Sequence, residues 1–286
     1  MTRQLRRWVI IAGGLSALSG TASSQGHGPV FGLSTPTLRD GGWSLDAGFM
    51  GQRIGEREMA MFRPMLSYGV TENVQLSASL PIPLYTAQGM MMSPRVATRM
   101  PATPDIELTL GYRFHRSDLG IGSRFESTAY VATAYPTDAT RHGLVTSPGL
   151  SGSLVTGYVS RSLYAWAGGM YRRYMSPVGA TADHAGDLAM YSLVVGYRPP
   201  IFQQDYPHAD WRMFVEAVGE VSARDVAAGV ERPASGGHEL FVGPTLLGLY
   251  GGWGVSGGPL FPVYRQVNGE RPRQKLRFAL DIIFWF

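Results

Sequence analysis

The sequence predicts an all-β chain, an antiparallel up-and-down transmembrane β-barrel of about twelve strands. Three observations point to it. Long segments alternate between apolar and polar or small residues with period two, as strands with two different faces do. Several of these segments run well past the ~5–6 residues usual in soluble sheets and match the ~9–11 that a tilted transmembrane strand needs. The connections between them alternate short and long, the asymmetry of bacterial outer-membrane barrels. Composition agrees: only 16% of the 286 residues are charged, below the quarter usual in soluble domains, and there are 37 Gly and 19 Pro.

The clearest alternation is Val74, Leu76, Ala78, Leu80, Ile82 and Leu84 against Gln75, Ser77, Ser79, Pro81 and Pro83. Ile106 to Phe114 alternates with Asp105 to Arg113, and Trp211 to Val221 with Arg212 to Glu220. The last run sets Leu276, Phe278, Leu280, Ile282, Phe284 and Phe286 against Lys275, Arg277, Ala279, Asp281, Ile283 and Trp285. Twelve segments follow, at 43–54, 58–70, 73–85, 104–115, 121–135, 149–160, 162–175, 187–198, 210–222, 238–250, 253–264 and 275–286. In 162–175 only Arg172 indicates which set faces inward. Leu240 to Tyr264 is uncharged over 25 residues but carries seven Gly and three Pro, so two strands joined at Gly251-Gly252 fit it better than a helix.

Several short connections are read as turns, among them Thr71-Glu72, 116–120, Arg161 and Gly251-Gly252. Long ones cover 86–103, 136–148, 176–186 and 223–237, and 199–209 is a medium-length exception. With twelve strands and both termini on the periplasmic side, the long connections fall outside the cell, where 86–103 and 136–148 would gate the lumen.

Residues 1–24 read as a signal peptide: Arg3, Arg6 and Arg7, then the uncharged stretch Trp8 to Leu18, then small residues around Ala22 to Ser24. That stretch is about 11 residues, too short to span a bilayer as a helix. Residues 25–286 form the barrel domain, exported to the cell outer membrane. The absence of Cys excludes disulfide scaffolds and thiolate metal sites. One Lys among 24 scattered Arg gives nucleic-acid binding no support.

If the apolar positions face lipid, the lumen is lined by Asp46, Asp105, Glu107, Arg113, Arg124, Glu126, Arg172, Arg212, Glu216, Glu220, Lys275, Arg277 and Asp281. Glu107, Arg113, Arg124 and Glu126 are expected to form one cross-strand network. Closure of the last strand on the first is expected to bring Asp281 and Arg277 near Asp46. Two readings stand: the charges pair and fill a narrow lumen, or they line a charge-selective pore. Trp43, Tyr68, Tyr85, Tyr112, Tyr197, Trp211, Trp253, Tyr264 and Trp285 suit interfacial girdles.

Some chemistry is not found. The six His show no metal-ligand spacing, no Gly-x-Ser-x-Gly elbow is present, and no phosphate-binding loop exists, so no enzyme and no cofactor are expected. Met90-Met91-Met92, with Met100, Met59, Met61 and Met65, is unusual. Thioethers suit Cu(I), and His142, His184 and His238 fall on the same side; the alternative is flexible packing over the barrel mouth.

Tyr68 to Leu76, Phe241-Val242-Gly243-Pro244, Leu260 to Tyr264 and the opening Gly28 to Thr37, together with the final strand, resemble the outer-membrane barrel family labelled as transporters of the MetA pathway of phenol degradation. Phe286 resembles the terminal signal read by the outer-membrane assembly machinery. The resemblance implies a transporter-like barrel, with the lipid bilayer, the assembly machinery and a small-molecule solute as partners. The function expected is a channel for small, hydrophobic or aromatic solutes; the alternative is a structural or copper-associated barrel without an open pore.

Overall fold

The computed structural model describes residues 28–55, 57–86, 105–136, 148–175, 184–203, 208–227, 229–269 and 274–286. Its strands are β1 (Trp43–Ile54), β2 (Arg57–Thr71), β3 (Val74–Ser79), β4 (Ile82–Thr86), β5 (Asp105–Gly120), β6 (Ser123–Pro136), β7 (Gly149–Val159) and β8 (Leu163–Tyr174). They continue with β9 (Leu188–Tyr197), β10 (Asp210–Ser222), the short hairpin β11 (Val226–Ala227) and β12 (Val230–Glu231), then β13 (Gly237–Tyr250), β14 (Trp253–Val267) and β15 (Gln274–Trp285). Each barrel strand pairs antiparallel with its sequence neighbours, and β1 pairs with both β2 and β15. The sheet therefore closes, leaving no edge whose unpaired amides would meet hydrocarbon. With β3 and β4 as two halves of one interrupted strand, the barrel has twelve strands.

Proline chemistry explains the interruption. Alternation predicts one continuous strand over 73–85, but the ladder stops at Leu80-Pro81. Leu80 still donates its N–H to the Pro64 carbonyl (3.0 Å), whereas Pro81 has no N–H to give. A second departure is at 104–115. That strand runs on to Gly120, and the turn shrinks from 116–120 to Ile121-Gly122. Gly120 (φ 137°) and Gly122 (φ 74°) take backbone angles closed to most residues, so the reversal fits into two residues.

The start of β1 and the end of β15 meet at one rim, called here the termini end: Trp43 N–H donates to the Phe286 carbonyl (2.9 Å), and Phe286 N–H donates back (3.1 Å). The other rim is the loop end. Outward positions are mostly apolar, for example Leu45 and Phe49 on β1, Leu108 and Leu110 on β5, Leu193 and Val195 on β9, and Phe278 and Leu280 on β15, all of them exposed. Trp43, Tyr112, Tyr197, Trp211 and Trp253 are exposed around the termini end, while Trp285 is half-buried. On β8 the Arg172 set does face inward: Tyr164, Trp166 and Arg172 are buried while Leu163 and Tyr171 are exposed. Lys275 is a correction. A register shift at the start of β15 places it outside, exposed, between the buried Gln274 and Arg277.

Candidate functional site

The site is the lumen, and the chain enters it. Residues 28–42, ahead of β1, run from the termini end into the barrel and turn back, with Gly28 against Ser34. At the base of this plug, Gly41 N–H donates to the Gly69 carbonyl and Gly69 N–H to the Gly42 carbonyl, both at 2.9 Å. A Cβ on Gly69 would stand 2.0 Å from the Arg39 carbonyl oxygen, so only glycine lets the stem pass. Above it Leu38 N–H donates to Gln75 Oε1 (2.9 Å) and Thr37 Oγ1 to the Glu72 carbonyl (2.6 Å). Thr35 is fully buried; it donates to Glu126 Oε2 (3.3 Å) and accepts from Trp166 Nε1 (3.1 Å). Its carbonyl accepts from Thr128 Oγ1 (2.6 Å), and the Ser34 carbonyl from the Tyr130 hydroxyl (2.8 Å).

The tip of the plug hangs on Glu216. Val30 N–H donates to Oε1 (2.7 Å), while Phe31 (2.8 Å) and Gly32 (2.7 Å) donate to Oε2. Thr245 Oγ1 donates to Oε1 as a fourth partner (2.5 Å). Three successive amides around one carboxylate form a backbone nest, which suits a negative charge. Glu216 is fully buried, and each of these charge-assisted bonds is worth about 1.5–3 kcal/mol by the usual scale.

The inward side chains of β10 show how the lumen is layered from the termini end to the loop end: Arg212, Phe214, Glu216, Val218, Glu220. The first layer is charged. Asp210 takes Arg212 (2.7 Å) and Arg198 (2.8 Å), and Arg212 lies over the Tyr164 ring. In the same region Glu126 takes Arg113 and Arg124, both at 3.0 Å. The second layer is aromatic and aliphatic, with Trp166, Phe214, Val194, Leu247 and Leu249. Beyond Glu216 comes an apolar chamber in which Phe31 sits among Met50, Met61, Met190, Val218, Phe241 and Leu260. Glu220 closes the series with a bidentate pair to Arg277 (2.5 and 2.7 Å), itself stacked 3.8 Å above the Phe241 ring.

Most of the expected lumen residues do face inward, but their partners differ. Glu107 leaves the Arg113 network; it pairs with Arg172 and lies 3.7 Å from Arg63. Arg277 pairs with Glu220 across the lumen rather than approaching Asp46. Asp281 does come near Asp46: both line a cavity of about 250 Å³ with Arg63, Tyr130, Gly28 and Ser34. Asp105 opens β5, with its side chain outside the described residues. Also outside the described residues are the expected signal segment 1–24, all but the end residues of the loops 86–103 and 136–148 expected to gate the lumen, Met90-Met91-Met92, Met100 and His142. Met61 lies inside the barrel, and His238 bonds Tyr191 (2.9 Å) and packs on Tyr264 on the outer surface. Among the described residues no group of three His, Asp or Glu is arranged to hold a metal ion.

The plug is what reading the sequence missed. Its residues alternate with no regular period and carry no charge before Arg39, so nothing in the pattern sends them inward. The signal that could have found them is indirect: Glu216 is an acid on an inward face, and among the described residues its partners are amides and a hydroxyl rather than an Arg or Lys.

Chains with this architecture are known. An outer membrane channel from Pseudomonas putida F1 superposes with a TM-score of 0.62 at 9% identity, covering 90% of this chain and all of the other. The NanC porin superposes with a TM-score of 0.52 at 9% identity, over 85% of this chain and 98% of that one. No family model and no curated sequence matches. At such identities the likeness is one of fold: a closed antiparallel β-barrel.

Proposed function

We propose that the protein is an outer-membrane channel for small hydrophobic or aromatic solutes, held shut at rest by its own N-terminal segment. The observation that carries this reading is the layered lumen. Porin-like lumens that pass polar solutes are lined by polar groups and water. Here the middle of the barrel is apolar, with Met50, Met61, Met190, Phe241 and Leu260 facing one another, and it is stoppered by a non-covalent plug. Flexible thioethers adapt to apolar guests of different shape. In this reading residues 1–24 direct export, the termini end is periplasmic, and Phe286 serves the assembly machinery.

The plug rests on hydrogen bonds from its main chain and from Thr35 and Thr37, and on buried side chains such as Phe31, none of them covalent, so it can leave while the closed sheet persists. A sealed structural barrel is the second reading, favoured by the buried pairs Glu220–Arg277 and Glu126–Arg113.

Uptake of radiolabelled toluene by outer-membrane vesicles, with and without the protein, separates the two. Faster uptake with the protein is expected. Equal rates would leave the sealed barrel. Deletion of residues 28–41 is expected to raise single-channel conductance in planar bilayers well above that of the intact chain.

A further inference from the structure

We infer that the chamber around Phe31 is a binding site for a single-ring aromatic solute, and that the chain occupies it with Phe31 as an internal competitor. The inference rests on the transport reading for its physiological sense, but it concerns a site that can be measured alone.

The chamber has the features of a ligand pocket rather than of wall packing. It is bounded by side chains from six strands: Met50 on β1, Met61 on β2, Met190 on β9, Val218 on β10, Phe241 on β13 and Leu260 on β14. The group that fills it comes from none of them. Phe31 is 5% exposed although it belongs to a segment outside every strand.

The plug is gripped through its main chain at Val30, Phe31 and Gly32. The phenyl ring contributes nothing to that grip, so its place there answers to the shape and polarity of the chamber alone. One benzene ring among thioethers and aliphatic groups is what the chamber accepts. Arg277 flattened against Phe241 roofs it toward the loop end. A solute of the same size and polarity therefore competes with Phe31 for one space, and its binding is coupled to displacement of the plug tip. The apparent affinity for the solute is lowered by the fraction of molecules in which Phe31 is seated.

The test uses 4-fluorotoluene followed by fluorine NMR, on the refolded full-length mature chain in detergent. Because the chain has no Cys, Gly32→Cys with Val194→Cys creates one thiol pair. A Cβ on residue 32 would stand 2.5 Å from Val194 Cγ2, close enough for a bridge. Oxidised, the bridge holds the tip and Phe31 in place; reduced, it frees them in the same sample and the same micelles.

The expected result is saturable binding by the intact chain and by the reduced form, none by the oxidised form, and about tenfold or tighter binding by Phe31→Ala. Phe31→Leu is expected to fall between. Binding by Phe31→Ala and Phe31→Leu no tighter than by the intact chain, or equal binding by oxidised and reduced forms, would overturn the inference. Toluene uptake by vesicles is scored separately. Binding as expected without uptake refutes the transport reading and supports this site. Uptake at one rate for the intact chain, Phe31→Ala and the oxidised form refutes this site and leaves the transport reading standing.

Discussion

Glu216 Oε2 accepts the main-chain N–H groups of both Phe31 and Gly32, joining residues 185 and 184 positions apart. The carboxylate holds peptide groups, so its grip on the tip does not depend on which side chains the tip carries, provided they fit. Removing it leaves three amides without their acceptor, each costing about 1–3 kcal/mol if it stays buried. Glu216→Ala is therefore expected to free the tip while the barrel stays folded. The measurement is single-channel conductance, which should rise severalfold, alongside a gel on which the variant keeps its heat-shifted band. Unchanged conductance would show that the tip is held by other means.

Gly32 has no room for a side chain. A Cβ there would meet Val194 Cγ2 at 2.5 Å. Gly32→Ala is expected to loosen the tip as Glu216→Ala does, to a smaller extent, with no loss of barrel stability. Trp166, which donates to Thr35, reports on the middle of the plug. Its quenching by acrylamide should increase in the order intact chain, Gly32→Ala, Glu216→Ala.

Arg277 and Glu220 are both buried, at 1% and 5% exposure. Breaking such a pair from one side leaves a charge without compensation, at a cost of about 3–5 kcal/mol. Arg277→Ala should lower the urea midpoint of the folded barrel in lipid by a corresponding amount. The double variant Arg277→Ala with Glu220→Ala should recover part of it. Additive losses would show that the pair is not coupled.

The two faces of β9 offer a direct test of orientation. Leu193 is exposed on the outer surface, and its neighbour Ser192 is buried where it accepts the Leu33 N–H (3.0 Å). Leu193→Arg is expected to cost about 2–4 kcal/mol in a bilayer if that position lies near the midplane. Ser192→Ala should leave the barrel's stability nearly unchanged and act instead on the plug, read as higher conductance.

The sequence by itself determined the wall of this protein. Alternation fixes which face each strand turns to lipid, because a one-residue slip would invert every side chain. So Trp211 to Ser222 and Leu276 to Trp285 could be assigned inward and outward positions from their residues alone, apart from Lys275, which a local shift in register turns outward. Turn positions were legible where glycine marks them, as at Gly251 with φ 58°, and less so at Ile121-Gly122, where the polar run 115–118 resembles a loop but extends the strand.

Only the tertiary structure decided what the lumen contains. Inward charges can be enumerated from period two, but their partners lie across the barrel on strands far apart in sequence. Hence strand adjacency points Glu107 to Arg113, whereas in the closed barrel it meets Arg172. The plug is legible least of all. Residues 28–42 have no strand period and few charges, and their tip is held by main-chain amides that every non-proline residue possesses. A bond whose donor is common to almost all residues leaves no trace in composition. It acquires meaning only when the closed barrel sets Glu216 opposite Phe31.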